Sequence, residues 1–244
     1  MTESIIIIDF GSQVTKLIAR RIREFGVFSQ IVPFNKVTKK LLGNSSVKGI
    51  IFSGGPKSVH EKNSPKIDDY IYELEIPILG ICYGLQLIAK QFGGEIIPSK
   101  DREFGKTKIK LTKKSPLIEN VLFPNKQVQV WMSHSDKISI LPDSFEKIAS
   151  SDTCEFAVIQ DQKKKIYGVQ FHPEVVHTIG GTKILKNFIR NICGCSAKWN
   201  MKFFKKKIIE DIKMQVGKDK VICGLSGGVD STVTAALILS LIHI

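Results

Sequence analysis

Four consecutive isoleucines, Ile5–Ile8, lie inside the segment Ser4–Asp9 and run into the turn residues Gly11 and Ser12. A short unbroken β-branched run is a strand covered on both faces, since a sheet with one wet face would alternate apolar and polar. Val14, Leu17, Ile18, Arg21, Ile22 and Phe25 then recur at helical spacing, and Gly26 closes that helix. Val27–Val32 reads as a second apolar strand stopped by Pro33. Strand, helix, strand in this order predicts a parallel sheet with helices on its faces.

The alternation continues. Lys48–Phe52 predicts a buried strand running into Ser53-Gly54-Gly55-Pro56, and Ile76–Ile81 predicts another, followed by Cys82. Leu85, Leu87, Ile88 and Phe92 mark the next helix, closed by Gly93-Gly94. The middle third reads differently, as shorter strands at Thr107–Thr112, Gln127–Met132 and Lys147–Ser150. Phe156–Gln160 and Ile166–Phe171 form a hairpin across the polar Asp161–Lys165 turn, and a helix covers about Thr182–Ile192.

Composition shifts after Cys195. Trp199–Met214 is Lys-rich and amphipathic, with Phe203, Phe204, Ile208, Ile209 and Ile212 on one stripe. Val221–Leu225 reads as a strand, Ser226–Ser231 as a Gly-rich turn and Thr232 onward as a helix. The expected architecture is α/β: a mostly parallel open sheet with flanking helices over residues 1–197, then the start of a second α/β domain over 198–244. Leu239–Ile244 (LSLIHI) matches an in-frame translation of a sequencing-library adapter, so the second domain is expected to be cut short there.

The 244 residues carry 36 Lys and Arg against 23 Asp and Glu, a net charge of +13. The lysines are scattered among Ile and Asn, which favours a biased composition over a nucleic-acid surface. A hydrophobic fraction of 43% with 24% charged residues excludes a disordered or fibrous chain. No apolar run reaches the ~18 residues that span a bilayer. The cysteine count is odd, at 82, 154, 193, 195 and 223, without framework spacing, so free thiols in a reducing cytoplasm are expected.

Gly80-Ile81-Cys82-Tyr83-Gly84 has the G-x-nucleophile-x-G form of a nucleophile elbow, with sulfur in place of oxygen. The strand-to-helix turn is tight enough that small residues must flank the nucleophile, and the helix start favours a thiolate. A base is still needed. His172, in Gly168-Val169-Gln170-Phe171-His172-Pro173-Glu174, follows an apolar strand, and Glu174 two residues on can orient its ring. Acyl chemistry also needs oxyanion donors: the amide of Tyr83, after the nucleophile, and one from Ser53-Gly54-Gly55-Pro56.

These segments, with Ile8-Asp9-Phe10-Gly11-Ser12-Gln13, Gly84-Leu85-Gln86 and Trp131-Met132-Ser133-His134-Ser135-Asp136, resemble the class I glutamine amidotransferases. The likeness spans almost all of residues 1–195 and is narrowest to the glutaminase half of glutamine-hydrolysing GMP synthases. It implies Cys82 as nucleophile, His172 as base and Glu174 as orienter, and Gly55 and Tyr83 amides for the oxyanion. Gln86, Ser133 and Asp136 would help hold glutamine, with no metal or cofactor in this domain. Two positions depart from the family: Ser135 replaces a usual glycine, which matters if φ is positive there, and Val14 replaces an aromatic residue with no chemistry assigned to it.

Ser226-Gly227-Gly228-Val229-Asp230-Ser231 opens a helix with glycines and hydroxyls, the chemistry of an anion cradle. It lacks the Gly-Lys-Ser/Thr ending of a Walker loop and resembles the SGGxDS pyrophosphate loop of ATP pyrophosphatases. The resemblance implies ATP with Mg²⁺, amination of XMP to GMP, and a homodimer in the full-length enzyme, with no nucleic-acid or membrane partner. The chain alone is expected to hydrolyse glutamine weakly and not to make GMP. Two rivals stand beside it: a glutaminase subunit of another pathway, and a catalytically silent nucleotide-binding module. Cys193-Gly194-Cys195, His60, His177 and Lys205-Lys206-Lys207 read as structural or surface residues.

Overall fold

A computed structural model describes residues 2–123 and 126–239. They fall into two compact units, Met1–Lys198 and Trp199–Ile244. Of the Leu239–Ile244 stretch, residues 240–244 lie outside the described residues.

The isoleucine run forms β1 (Ser4–Asp9), the inner strand of a parallel group. It is flanked by β2 (Phe28–Pro33) and β3 (Val47–Phe52), with Ile7 opposite Ile31 on one side and Ile51 on the other. Because successive side chains alternate faces, the run feeds two cores. Ile5 and Ile7 pack with Ile18 and Ile22 of α1 (Thr15–Glu24), while Ile6 and Ile8 join Phe10, Phe52 and Leu85. All four isoleucines are buried, and each is worth roughly 1.5–3 kcal/mol relative to exposure.

β4 (Ile78–Ile81) pairs with β3 on one side and, on the other, with β9 (Ile166–Val169), far along the chain. The segment between them builds the other half of the sheet: β5 (Glu95–Leu111), β6 (Gln127–Ile140), β7 (Glu146–Ser150) and β8 (Val158–Asp161). The strand order is β2-β1-β3-β4-β9-β8-β7-β5-β6, parallel as far as β9 and antiparallel beyond it. The sheet is thus mixed, and its parallel half carries the elbow. Among the helices, α2 (Lys39–Leu42) is a single turn capped by the Thr38 hydroxyl. α3 (Tyr83–Gln91) follows the elbow, and α4 (Gly181–Asn187) continues as a π turn over Phe188–Ile192.

Two expectations change. Two short strands of the middle third, Thr107–Thr112 and Gln127–Met132, are the ends of longer ones, while Lys147–Ser150 forms the short β7 as expected; pairing of β5 with β6 carries on past the polar Ser133–Asp136 stretch. Backbone hydrogen bonds hold that ribbon, and its polar His134 and Asp136 are buried, against the usual alternation. Val221–Leu225 is irregular, not a strand. Among the described residues of the second unit there is no other strand, and an unpaired strand leaves its ladder groups without partners. That unit consists of α5 (Met201–Val216) and α6 (Val229–Leu239), joined through the Gly-rich turn.

Candidate active site

Cys82 leaves the end of β4 and caps α3, at φ 51° and ψ −105°. An L-residue is held in such a conformation at a cost of about 1–3 kcal/mol, so the neighbours must impose it. They do. A Cβ at Gly80 would lie 2.7 Å from the Leu85 nitrogen, and one at Gly84 would lie 2.6 Å from both the Cβ and the carbonyl oxygen of Phe52. The Gly84 amide donates to the Ser53 carbonyl at 3.1 Å, and the Cys82 amide donates to the Val169 carbonyl at 2.8 Å. The two glycines flanking Cys82 are therefore required by contact.

The neighbouring strand brings the imidazole. Ile81 of β4 pairs with Val169 of β9, so the residues just beyond each strand emerge together at the carboxyl end of the parallel sheet, where α/β clefts form. His172 and Cys82 meet there across ninety residues of sequence: a Cβ at Gly54 would lie 3.0 Å from the His172 Cε1 and 3.8 Å from the Cys82 Cβ. On its other side the His172 Nδ1 lies 2.8 Å from Oε1 of Glu174, which is buried. Burial alone would push the His172 imidazole down. Its interaction with Cys82 and its hydrogen bond to Glu174, with the charges both carry when ionised, outweigh burial and push it up to about 10. A second proton on the imidazole is thus favoured while those two groups are ionised.

A cleft of about 330 Å³ opens over this pair. Of the residues expected at the site, Gly55, Cys82, Ser133 and His172 line it. Tyr83 is adjacent: a Cβ at Gly55 would come within 3.3 Å of its Cγ, so the amides of Gly55 and Tyr83 come from abutting segments. Ser133 turns its carbonyl to the nucleophile and accepts from the Cys82 thiol at 3.4 Å. Gln86 and Asp136 do not line the cleft. Both are buried, and the Gln86 side chain donates to the Asp136 carbonyl at 2.7 Å. Ser135 is exposed in β6 and is not among the residues with positive φ, so the missing glycine strains nothing there.

Several lining residues have no role assigned by the sequence. Val14 is one of them, beside Ser12 and Gln13 on the turn after β1 and Trp131 on β6. Thr178, behind the cleft, is another residue without an assigned role. Its hydroxyl donates to the His172 carbonyl at 2.6 Å and accepts from the Trp131 amide at 3.0 Å, so it braces the imidazole's backbone. Nothing in the spacing of Thr178 announces that contact. Larger hollows, of about 530 Å³ beside Ser115 and about 710 Å³ beside Asp143, contain no cysteine or histidine.

The arrangement suits a sulfur nucleophile with an oriented imidazole; the comparisons with known proteins bear on the family. The family described as glutamine amidotransferase class-I matches residues 6–192. The chain belongs to that family. The family described as NAD synthase matches residues 202–243. A glutamine-hydrolysing GMP synthase of Bradyrhizobium diazoefficiens is 49% identical over 236 residues, covering 97% of this chain and 43% of the relative. One from Campylobacter hominis is 50% identical over 234 residues, covering 96% and 45%. The chain thus spans less than half the length of these curated relatives. A crystal structure from Thermoplasma acidophilum, described as one subunit of a GMP synthase, is 36% identical with a TM-score of 0.68. That match covers 80% of this chain and 95% of the other.

In the second unit, the Ser226–Ser231 segment expected to cradle phosphate lies at the start of α6. Gly227 has φ 79°, the Ser226 hydroxyl donates to that of Ser231 at 3.0 Å, and Ser231 donates to the Gly228 carbonyl at 3.0 Å. Val229, Asp230 and Ser231 form the first turn of α6, whose amides have no partner within the helix. These donors fit the phosphates of a nucleotide. Among the described residues no group of three or more His, Cys, Asp or Glu could hold a metal ion. No helix among the described residues is long and apolar enough to cross a membrane.

Proposed function

We propose that the unit Met1–Lys198 hydrolyses glutamine, and that its ammonia serves the ATP-dependent amination of XMP to GMP in a longer protein like its relatives. The observation that carries the first part is the line from Cys82 through His172 to Glu174, at the mouth of a cleft. The Cys82 thiolate attacks the side-chain carbonyl carbon of glutamine, and the oxyanion takes up the amides of Gly55 and Tyr83. The raised His172 imidazolium gives its proton to the departing nitrogen, so ammonia leaves and a thioester remains. Neutral His172, held by Glu174, then takes a proton from water, which attacks the thioester and frees glutamate. Ser133 at the cleft wall is the remaining candidate for contact with bound glutamine. Gln86 and Asp136 act from behind the wall.

The second part is supported by the relatives and by the loop Ser226–Ser231. ATP would place its phosphates on that loop. Mg²⁺, the XMP site and a homodimer would belong to the longer protein. A glutaminase subunit of another pathway would have no need of the phosphate loop, and a silent module would have no need of the three aligned side chains. The deciding experiment is glutamate release from glutamine by the purified chain, with Cys82→Ala as control. We expect turnover in the parent and a loss of at least about a thousandfold in the variant, as for removal of other covalent nucleophiles. Equal inertness of two folded proteins would overturn the glutaminase reading.

A further inference from the structure

One polar side chain touching the reacting sulfur has no part in the scheme above. Gln170 is fully buried, and its Nε2 lies 3.7 Å from the Cys82 Sγ. A buried amide without partners is costly, so its two ends must both be accounted for. Its Oε1 accepts from Gln86 Nε2 at 3.4 Å. Gln86 Nε2 also donates to the Asp136 carbonyl at 2.7 Å. A backbone carbonyl only accepts, so the nitrogen end of Gln86 is fixed by Asp136. That leaves the oxygen of Gln170 facing Gln86 and its NH₂ facing sulfur. The orientation of both amides follows from a main-chain atom in β6, and the Gln170 backbone is itself tied down by donation to the Ala157 carbonyl at 2.9 Å.

The contact acquires meaning when the proton on sulfur is considered. As a thiol, Cys82 donates to the Ser133 carbonyl. As a thiolate it has nothing to donate, and that carbonyl dipole opposes its charge. Compensation has to come from N–H groups, and beside the start of α3 the side chains at hand are the His172 ring and the Gln170 amide. We propose that Gln170 is a further catalytic residue, an N–H donor to the Cys82 thiolate, held in the donating orientation by Gln86 and the Asp136 carbonyl. This also gives Gln86 and Asp136, expected to contact glutamine, a role consistent with their burial. The proposal takes its purpose from the glutaminase reading, but its test does not depend on turnover.

The test is the pH dependence of Cys82 alkylation by iodoacetamide in the full chain, quantified by mass spectrometry on the Cys82 peptide. Residue-specific readout is needed because Cys223 is exposed; burial pushes Cys154 up to about 12 and Cys195 up to about 11. Gln170→Met fills the same space without an N–H, and Gln86→Met leaves Gln170 in place but releases its orientation. A lost hydrogen bond to a charged group raises the alkylation midpoint by about one pH unit. We expect that shift in Gln170→Met and a smaller upward shift in Gln86→Met, with melting curves showing both folded. A midpoint in folded Gln170→Met indistinguishable from the parent overturns the proposal. Should Gln170→Met not fold, an unchanged midpoint in Gln86→Met overturns it instead. Glutamate release is scored separately, so a chain that alkylates as expected without turning over glutamine would fail the function and keep the donor.

Discussion

Two glycine-rich turns open helices in this chain, and they are built in opposite ways. At the elbow, Gly80 and Gly84 lie against backbone, with no room for a methyl group on either. At the Ser226–Ser231 turn, a Cβ on Gly227 would meet nothing within 4 Å among the described residues, and one on Gly228 only the Ser226 hydroxyl at 3.6 Å. Similar letters thus carry different constraints. The elbow glycines answer to crowding between β3, β4 and α3. Gly227 answers to its own φ of 79°. Crowding is what holds Cys82 in a conformation it would otherwise leave, whereas a loop proposed to take a phosphate needs its amides open.

The largest effect is expected at Gly84. An alanine methyl would meet the Phe52 backbone, which cannot rotate aside. We expect Gly84→Ala to cost about 3 kcal/mol or more, since overpacking a tight site typically costs 1–3 and a strand must move here. For a unit of this size that lowers the melting midpoint by roughly 6–12 °C. Calorimetry gives the shift. A midpoint equal to the parent's would mean that the elbow is as open as the second turn, and the contrast would collapse.

Burial has an electrostatic signature as well, on β6. His134 sits on β6 next to Ser133 with its side chain almost wholly buried. Desolvation pushes its imidazole down to about 4, helped by the charges of Lys137 and His172 and opposed by the carbonyl and carboxylate of Asp136. The Glu103 carboxyl lies 3.3 Å from its Nε2. With the folded value depressed, the unfolded chain binds more protons between pH 6.5 and 4. Stability from this group is present above pH 6.5 and is lost as pH falls toward 4, by about 3 kcal/mol in all. His172 is the mirror case. Raised to about 10, it contributes stability that is present below pH 6.5 and lost as pH rises to 10. We expect His134→Gln to lose less stability than the parent between pH 6.5 and 4 in urea titrations. Equal losses in both proteins would show that His134 is not the group being protonated.

How much of this is legible in the sequence depends on whether a residue's neighbours are local. The Ile5–Ile8 run, the helix of Ile18 and Ile22 and the Gly80–Gly84 elbow state their conformations within a few residues, and they form where expected. His172 is legible because it follows a strand and precedes Glu174. Its meeting with Cys82 requires β9 to lie beside β4, a placement set by sheet order. Gln86 is expected to help hold glutamine and does not line the cleft, since helix position alone does not tell a wall residue from one behind the wall. Val14 has no polar atoms to announce a role and nevertheless lines the cleft. Val221–Leu225 has the composition of a strand, but a strand exists only where another pairs with it.

The smallest effect is expected at Gly227, and it is the sharpest test of the contrast. Alanine there has space for its methyl but must hold a positive φ, at about 1 kcal/mol for one residue. Nothing within 4 Å transmits that strain to a packed neighbour among the described residues. We expect Gly227→Ala to leave the main calorimetric transition where it is, while weakening protection of the loop by pyrophosphate against limited proteolysis. If Gly227→Ala instead lowered that transition as far as Gly84→Ala does, the loop would be part of a packed core. Its glycines would then have to be explained by contact, as at the elbow, and the open amides that suit a phosphate would be lost from the argument.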